Sequence, residues 1–123
     1  MPLTYLIDEN LRGDLADSLL LAAQAAGFTL DLLQVGDPEG PALGTPDPDL
    51  LRWCQLHHRT LISRDFRTLP RHLLDHLAAG GSSPGIFLIR AGHPWHDVLN
   101  DLILMSLVAS PNEFRNQLLY IPL

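Results

Sequence analysis

The sequence predicts an α/β domain with a mainly parallel central sheet and helices on both faces. Two observations predict it. Strand-length apolar runs alternate with helix-length stretches from one end of the chain to the other, the pattern that a sheet built from successive βα units requires. The length of 123 residues and the 46% hydrophobic content suit one domain with one core, and such a chain is too apolar to stay disordered.

Each element has its own signal. Leu3 to Ile7 is a short apolar run, read as a strand. Leu11 to Ala26 carries apolar residues at Leu15, Leu19, Ala22 and Ala26, a helical spacing, and stops at Gly27. Phe28 to Val35 reads as a strand with a mixed pattern. Gly36 to Pro46, GDPEGPALGTP, is a Gly/Pro-rich loop of eleven residues, long enough inside a small domain to suggest a functional role. Pro48 to His58 reads as a helix, with Asp47 as its N-cap. Thr60 to Ser63 is a short strand, and Leu69 to Ala79 a helix closed by Gly80-Gly81. Gly85 to Ile89 is a strand, His96 to Ala109 a helix, and Leu118 to Ile121 a last strand. No repeat or linker divides residues 1–123.

Charge is unevenly spread. The net charge of −6 argues against wholesale wrapping of nucleic acid. From Asp8 to Asp49 there are nine acids and one arginine, Arg12; from Leu50 to His76 there are five arginines, four histidines and two acids. An acidic pole beside a basic segment suits a metal site with phosphate contacts next to it, and equally a mixed solvated surface. The opening MPLTYLIDEN has no basic n-region, so no signal peptide is expected. No apolar run approaches the ~18 residues of a membrane span. A single cysteine, Cys54, forms no internal disulfide and fits a small core residue, so a cytoplasmic setting is expected.

Placing the acids on these elements sharpens the functional expectation. Open α/β sheets bind ligands beyond the carboxyl ends of their strands, where strand order reverses. Asp8 follows the first strand, Asp65 follows Thr60 to Ser63, and Asp47 and Asp49 open the helix before it. Carboxylates converging on one crevice repel unless a cation lies between them. Mg²⁺ or Mn²⁺ takes such oxygen ligands and bridges to phosphates. Helix capping explains Asp8 and Asp47 just as well from local sequence. Asn10 could hydrogen-bond a metal ligand or cap the first helix. Arg64, Arg67 and Arg71 flank Asp65 and could hold phosphates or form a solvated face.

Rival chemistries lack key residues. A response-regulator receiver needs a lysine on a later strand, and this chain has no lysine. A haloacid-dehalogenase-type phosphatase needs Asp-x-Asp after the first strand, where this chain has Asp8-Glu9-Asn10. Gly80-Gly81-Ser82-Ser83 lacks the lysine of a P-loop. His72 and His76 have the i,i+4 spacing of zinc ligands, without a following Glu or an evident third ligand.

Four segments in order, LIDENL, LGTPDPDLLRWC, RTLISRDFRTLPRHL and SPGIFLIR, resemble the PIN-like family, which includes VapC-type toxins; the similarity runs on to the closing NQLLYIPL. The resemblance implies a three-layer α/β sandwich that cuts RNA with clustered acids and Mg²⁺ or Mn²⁺. Small stand-alone members are often toxins held by a neighbouring antitoxin. By position it assigns metal and catalysis to Asp8, Asp47 and Asp65, with Asp49 and Asn10 auxiliary. Asp37, Asp97 and Asp101 are candidates for a fourth acid. Phe66 and Arg67 stand where the family often carries another one. The expectation is a Mg²⁺- or Mn²⁺-dependent ribonuclease, the toxin of a toxin–antitoxin pair; the alternative is a degenerate module that binds RNA or protein without cutting. Expected partners are RNA and a small antitoxin, with no membrane. His96 to Ala109 is apolar almost all round from Leu102 onward, which predicts a homodimer.

Overall fold

Alternation along the strands decides the layering. The computed structural model describes residues 3–123. Its strands are β1 (Thr4–Ile7), β2 (Asp31–Gln34), β3 (Thr60–Ser63), β4 (Ile86–Ile89) and β5 (Leu118–Ile121), and its helices are α1 (Asp14–Ala25), α2 (Asp47–His57), α3 (Leu69–Ala78) and α4 (Trp95–Val108). Tyr5 and Ile7 point to one side of the sheet with Ile62, Phe87 and Ile121, and there they meet Leu15 and Leu19 of α1 and Val98 and Leu102 of α4. Leu6, Leu61, Ile86 and Leu88 point to the other side, against Leu50, Leu51 and Cys54 of α2 and Leu69 and Leu73 of α3. The result is a three-layer α/β sandwich. Because both faces are covered, the central strands are apolar at nearly every position, as parallel sheets require. Each fully buried Leu, Ile or Phe contributes roughly 1.5–3 kcal/mol relative to exposure.

Burial raises the pKa of two weak acids in these cores. The Tyr5 hydroxyl lies 2.6 Å from Ser106 Oγ, which itself donates to the Leu102 carbonyl. Burial pushes the Tyr5 phenol up to about 12, against the lowering effect of Ser106. The Cys54 thiol is pushed up to about 12 by the same cause, which suits a packing residue.

The sheet is parallel throughout, rather than mainly so, and its order is β2-β1-β3-β4-β5. The chain leaves β1 through α1 to β2 on one side, then crosses through α2 to β3 on the other. Strand order therefore reverses between β1 and β3, which places the expected crevice at their carboxyl ends.

Most element ends fall within one residue of the sequence pattern, and three differences bear on the site. The first helix is not continuous from Leu11. A 3-10 turn covers Glu9–Leu11, the chain extends at Arg12, and α1 begins only after Gly13 at φ 113°. The guanidinium of Arg12 donates to the Val35 carbonyl (2.8 Å) and Asp37 (2.9 Å), and the Gly13 N–H donates to Gln34 Oε1 (2.8 Å). These long-range bonds hold the break. The second strand is confined to Asp31–Gln34. The N-cap of α2 is Pro46 rather than Asp47, which is the first helical residue. Its carboxylate is thereby released from capping.

Candidate functional site

Asp8 and Asn10 meet at Ser63 across the β1/β3 boundary, while Glu9 reaches the Gly/Pro-rich loop. The Asp8 N–H donates to the Ile62 carbonyl at 2.8 Å, so the β1/β3 ladder continues one residue past Ile7. This brings the Asp8 side chain beside Ser63, the last residue of β3. Asp8 Oδ2 accepts from Ser63 Oγ at 2.7 Å, and Oδ1 accepts from the Glu9 N–H at 2.8 Å. Glu9 Oε1 accepts from the Gly44 N–H at 2.7 Å and so ties the Gly/Pro-rich loop to the site. Asn10 Nδ2 donates to Ser63 Oγ at 3.2 Å, and Asn10 Oδ1 accepts from the Arg64 N–H at 3.4 Å.

Asp65 joins through the same hydroxyl. Its N–H donates to Ser63 Oγ at 3.1 Å. Its carboxylate accepts from the N–H groups of Arg67 (3.2 Å) and Thr68 (3.1 Å) and from the Thr68 hydroxyl. Thr68 Oγ1 also lies 3.2 Å from Asp47 Oδ2. A hydroxyl has one proton to donate, so Thr68 serves one of these two carboxylates at a time. His72 Nε2 stands 3.8 Å from Asp47. A continuous polar chain thus runs from Asp8 through Ser63, Asp65 and Thr68 to Asp47.

The environment splits the carboxylates electrostatically. Asp8 is 7% exposed, and burial raises its pKa above the usual carboxylate range. The hydrogen bonds from Ser63 and Glu9 oppose the rise, and the charges of Asp47 and Glu9 add to it. Asp65 is held below that range, chiefly by the Thr68 hydroxyl and further by the backbone N–H groups and His72, against a smaller desolvation effect. Among the described residues, neither Asp8 nor Asp65 has an ion-pair partner.

Other sequence candidates go elsewhere. Asp49 pairs with Arg52 on the exposed side of α2. Arg71 pairs with Asp75 along α3 at 3.5 Å, both well exposed. The Arg67 guanidinium stands 6.0 Å over the Phe66 ring. Asp37 is committed to Arg12 and the Gln34 N–H, and Asp101 to the Leu123 N–H. Asp97 lies in the first turn of α4, on another element. His76 binds the Ser82 carbonyl while His72 faces Asp47, so the two imidazoles do not act as a pair. Ser63 and Thr68, which link the acids, carry no motif of their own; their one signal is a polar residue at each end of the segment containing Asp65.

The donor set suits a hard divalent cation: three carboxylates, all oxygen, with Asp8 buried and unneutralised by any basic side chain. Among the described residues no group of three or more His, Cys, Asp or Glu is drawn into ligating range of one point. The three acids are instead spaced by the Ser63 and Thr68 hydroxyls. A groove of about 1210 Å³ lies between α2 and α3, and its near end at Pro48 and His72 adjoins Asp47. No described helix is long and apolar enough to cross a membrane. No protein-family model, curated protein or solved structure matches the chain.

Proposed function

We propose that this chain is a Mg²⁺- or Mn²⁺-dependent ribonuclease of PIN-like type, the toxin half of a toxin–antitoxin pair. One observation carries the chemical part. Two acids at neighbouring strand ends meet one buried hydroxyl at the point where strand order reverses, Asp8 through its carboxylate and Asp65 through its backbone N–H, and a third, Asp47, adjoins the Asp65 carboxylate through Thr68. Unpaired acids gathered at such a point are costly without a cation. Asp8, Asp47 and Asp65 would hold it. When bound, a Mg²⁺ or Mn²⁺ ion supplies an acidified water and neutralises charge on a phosphate. Ser63 sets the spacing of Asp8 and Asp65, since it donates to one and accepts from the backbone of the other. Its second lone pair is taken by Asn10, so the hydroxyl is saturated and cannot rotate freely. The groove beside Asp47 carries Arg52, Arg115, His72 and His76 and offers an RNA backbone a path to the acids.

The toxin role rests on the resemblance alone, and its expected companion is a small neighbouring reading frame for an antitoxin. The second reading, a module that binds RNA or protein without cutting, is favoured by Phe66 and Arg67 in place of a further acid. Purified protein incubated with a broad RNA panel separates the two. Cleavage with Mg²⁺ or Mn²⁺ that stops in EDTA supports the nuclease. Binding with no cleavage under either metal replaces it with the binding module.

A further inference from the structure

A second concavity lies at the same edge of the sheet, on the other side of Asp65. It measures about 250 Å³, below the ~300–1,000 Å³ of sites for drug-sized ligands, and therefore suits one small flat group. Its floor is apolar: Leu11 from the 3-10 turn and Ile89 from the end of β4, both buried. Its walls are Arg64 and Phe66, the two chain neighbours of Asp65, together with Arg90, His93 and Trp95 from the loop that leads into α4. No acid lines it.

The aromatic content of this pocket has no structural explanation. Phe66 is 56% exposed and Trp95 45%. Among the described residues the only other exposed Phe, Tyr or Trp ring is Tyr120, and the Arg90 guanidinium lies over it at 5.0 Å while Arg90 Nε donates to the Pro122 carbonyl at 2.8 Å. Every exposed Phe, Tyr or Trp ring is therefore in this pocket or in contact with a residue that lines it. Burying these rings in the core would stabilise the fold, yet they stand exposed beside Arg64 and Arg90, with the Arg67 guanidinium 6.0 Å from the Phe66 ring. Exposed rings with arginines along one strand-end rim are what single-stranded nucleic acid requires: faces for the bases and cations for the backbone.

We infer that this pocket is a nucleobase subsite, which seats the base next to the phosphate that lies at Asp8 and Asp65. The inference rests on the reading of those acids as a phosphodiester site. Phe66 and Trp95 stack on the base, Leu11 and Ile89 form the apolar floor, and Arg64 and Arg90 meet the flanking phosphates. Stacking discriminates little between bases, so the subsite gives a grip on unpaired RNA and excludes duplex, whose bases are already stacked.

The test is calorimetric titration of the whole chain in EDTA with 5′-AMP, and separately with ribose 5-phosphate, which lacks the base. Binding in EDTA requires neither metal nor cleavage. The subsite predicts that 5′-AMP binds at least tenfold more tightly than ribose 5-phosphate. It also predicts that Phe66→Ala and Trp95→Ala each weaken 5′-AMP by about tenfold, within the range for loss of one base stack, and leave ribose 5-phosphate unchanged. Both side chains are exposed, so neither variant threatens the fold; circular dichroism checks this. Equal binding of the two ligands, no binding of 5′-AMP at millimolar concentration, or wild-type affinity in both variants would overturn the inference, the second result being expected if the pocket receives a side chain of a protein partner. RNA cleavage by the same variants separates the two readings. Cleavage without base-dependent binding removes only the subsite, whereas base-dependent binding by a wild-type chain that never cuts removes only the nuclease.

Discussion

Ser63 Oγ donates to Asp8 Oδ2 at 2.7 Å across the boundary between β3 and β1, and both of its lone pairs are occupied, by Asn10 Nδ2 and the Asp65 N–H. One hydroxyl with no exposure thus joins three of the site's residues. Ser63→Ala removes all three bonds and leaves a buried carboxylate short of a donor. Unfolding in urea should show a loss of about 1–3 kcal/mol, the cost of stranding buried polar groups. An unchanged midpoint would mean that this hydroxyl organises nothing.

The pH dependence of stability follows from the two opposite shifts. Asp8 is raised above the ordinary value of 3.8, so the folded chain binds this proton more readily than the unfolded chain. Its effect is that stability falls as pH rises from 3.8 through the raised folded value. Asp65 is lowered, so its contribution is present above the ordinary value and is lost as pH falls through the folded one. Asp8→Asn should erase the first trend and leave the second. In metal-free protein at neutral pH it should raise the melting temperature by about 3–5 °C, the shift that ~1 kcal/mol gives in a domain of this size. Thermal melts across pH check both, and a destabilised Asp8→Asn chain would contradict the assignment of Asp8 as an unneutralised charge.

Divalent cations should act on the same residue. Millimolar Mg²⁺ or Mn²⁺ stabilises a chain that binds it only when folded, by about 1.4 kcal/mol at ten times Kd. The wild-type melting temperature should rise accordingly, and Asp8→Asn or Asp65→Asn should abolish the rise. A rise that persists in both variants would place the ion elsewhere.

Assembly is the fourth expectation. Val98, Leu102 and Met105 of α4 are buried against the sheet, while Leu104, Leu107 and Val108 on the same helix are more than half exposed. Leu20 and Leu21 of α1, on the same face of the sheet, are exposed as well. A dimer through this face should appear by light scattering at tens of micromolar, and Leu104→Glu with Val108→Glu should render it monomeric. A wild-type monomer under those conditions would rule the dimer out.

The layers and the two strand-end acids were legible in the sequence because they depend on local signals. The apolar runs locate β1 and β3, and Asp8 and Asp65 follow them directly. The break at Arg12-Gly13 was not legible, because Leu15 and Leu19 keep a helical spacing past it and the bonds that hold it come from Val35, Gln34 and Asp37. The choice between Asp47 and Asp49 depended on where α2 starts. Two residues rotate a side chain by about 200° around a helix, and with Pro46 as N-cap, Asp47 meets Thr68 while Asp49 meets Arg52. Ser63 and Thr68 become visible as linkers only with the register Ile7↔Ile62 in hand.

The most direct test of the account is single-turnover cleavage of single-stranded RNA by partner-free wild-type, Asp65→Ala and Arg71→Ala chains, with Mn²⁺ and then with EDTA. Expected are cleavage by the wild type with Mn²⁺ only, at least a hundredfold loss in Asp65→Ala with the fold intact, and near wild-type rates in Arg71→Ala, whose guanidinium pairs with Asp75 away from the acids. Cleavage that survives Asp65→Ala or EDTA, or no cleavage by the wild type on any RNA with either metal, would contradict it.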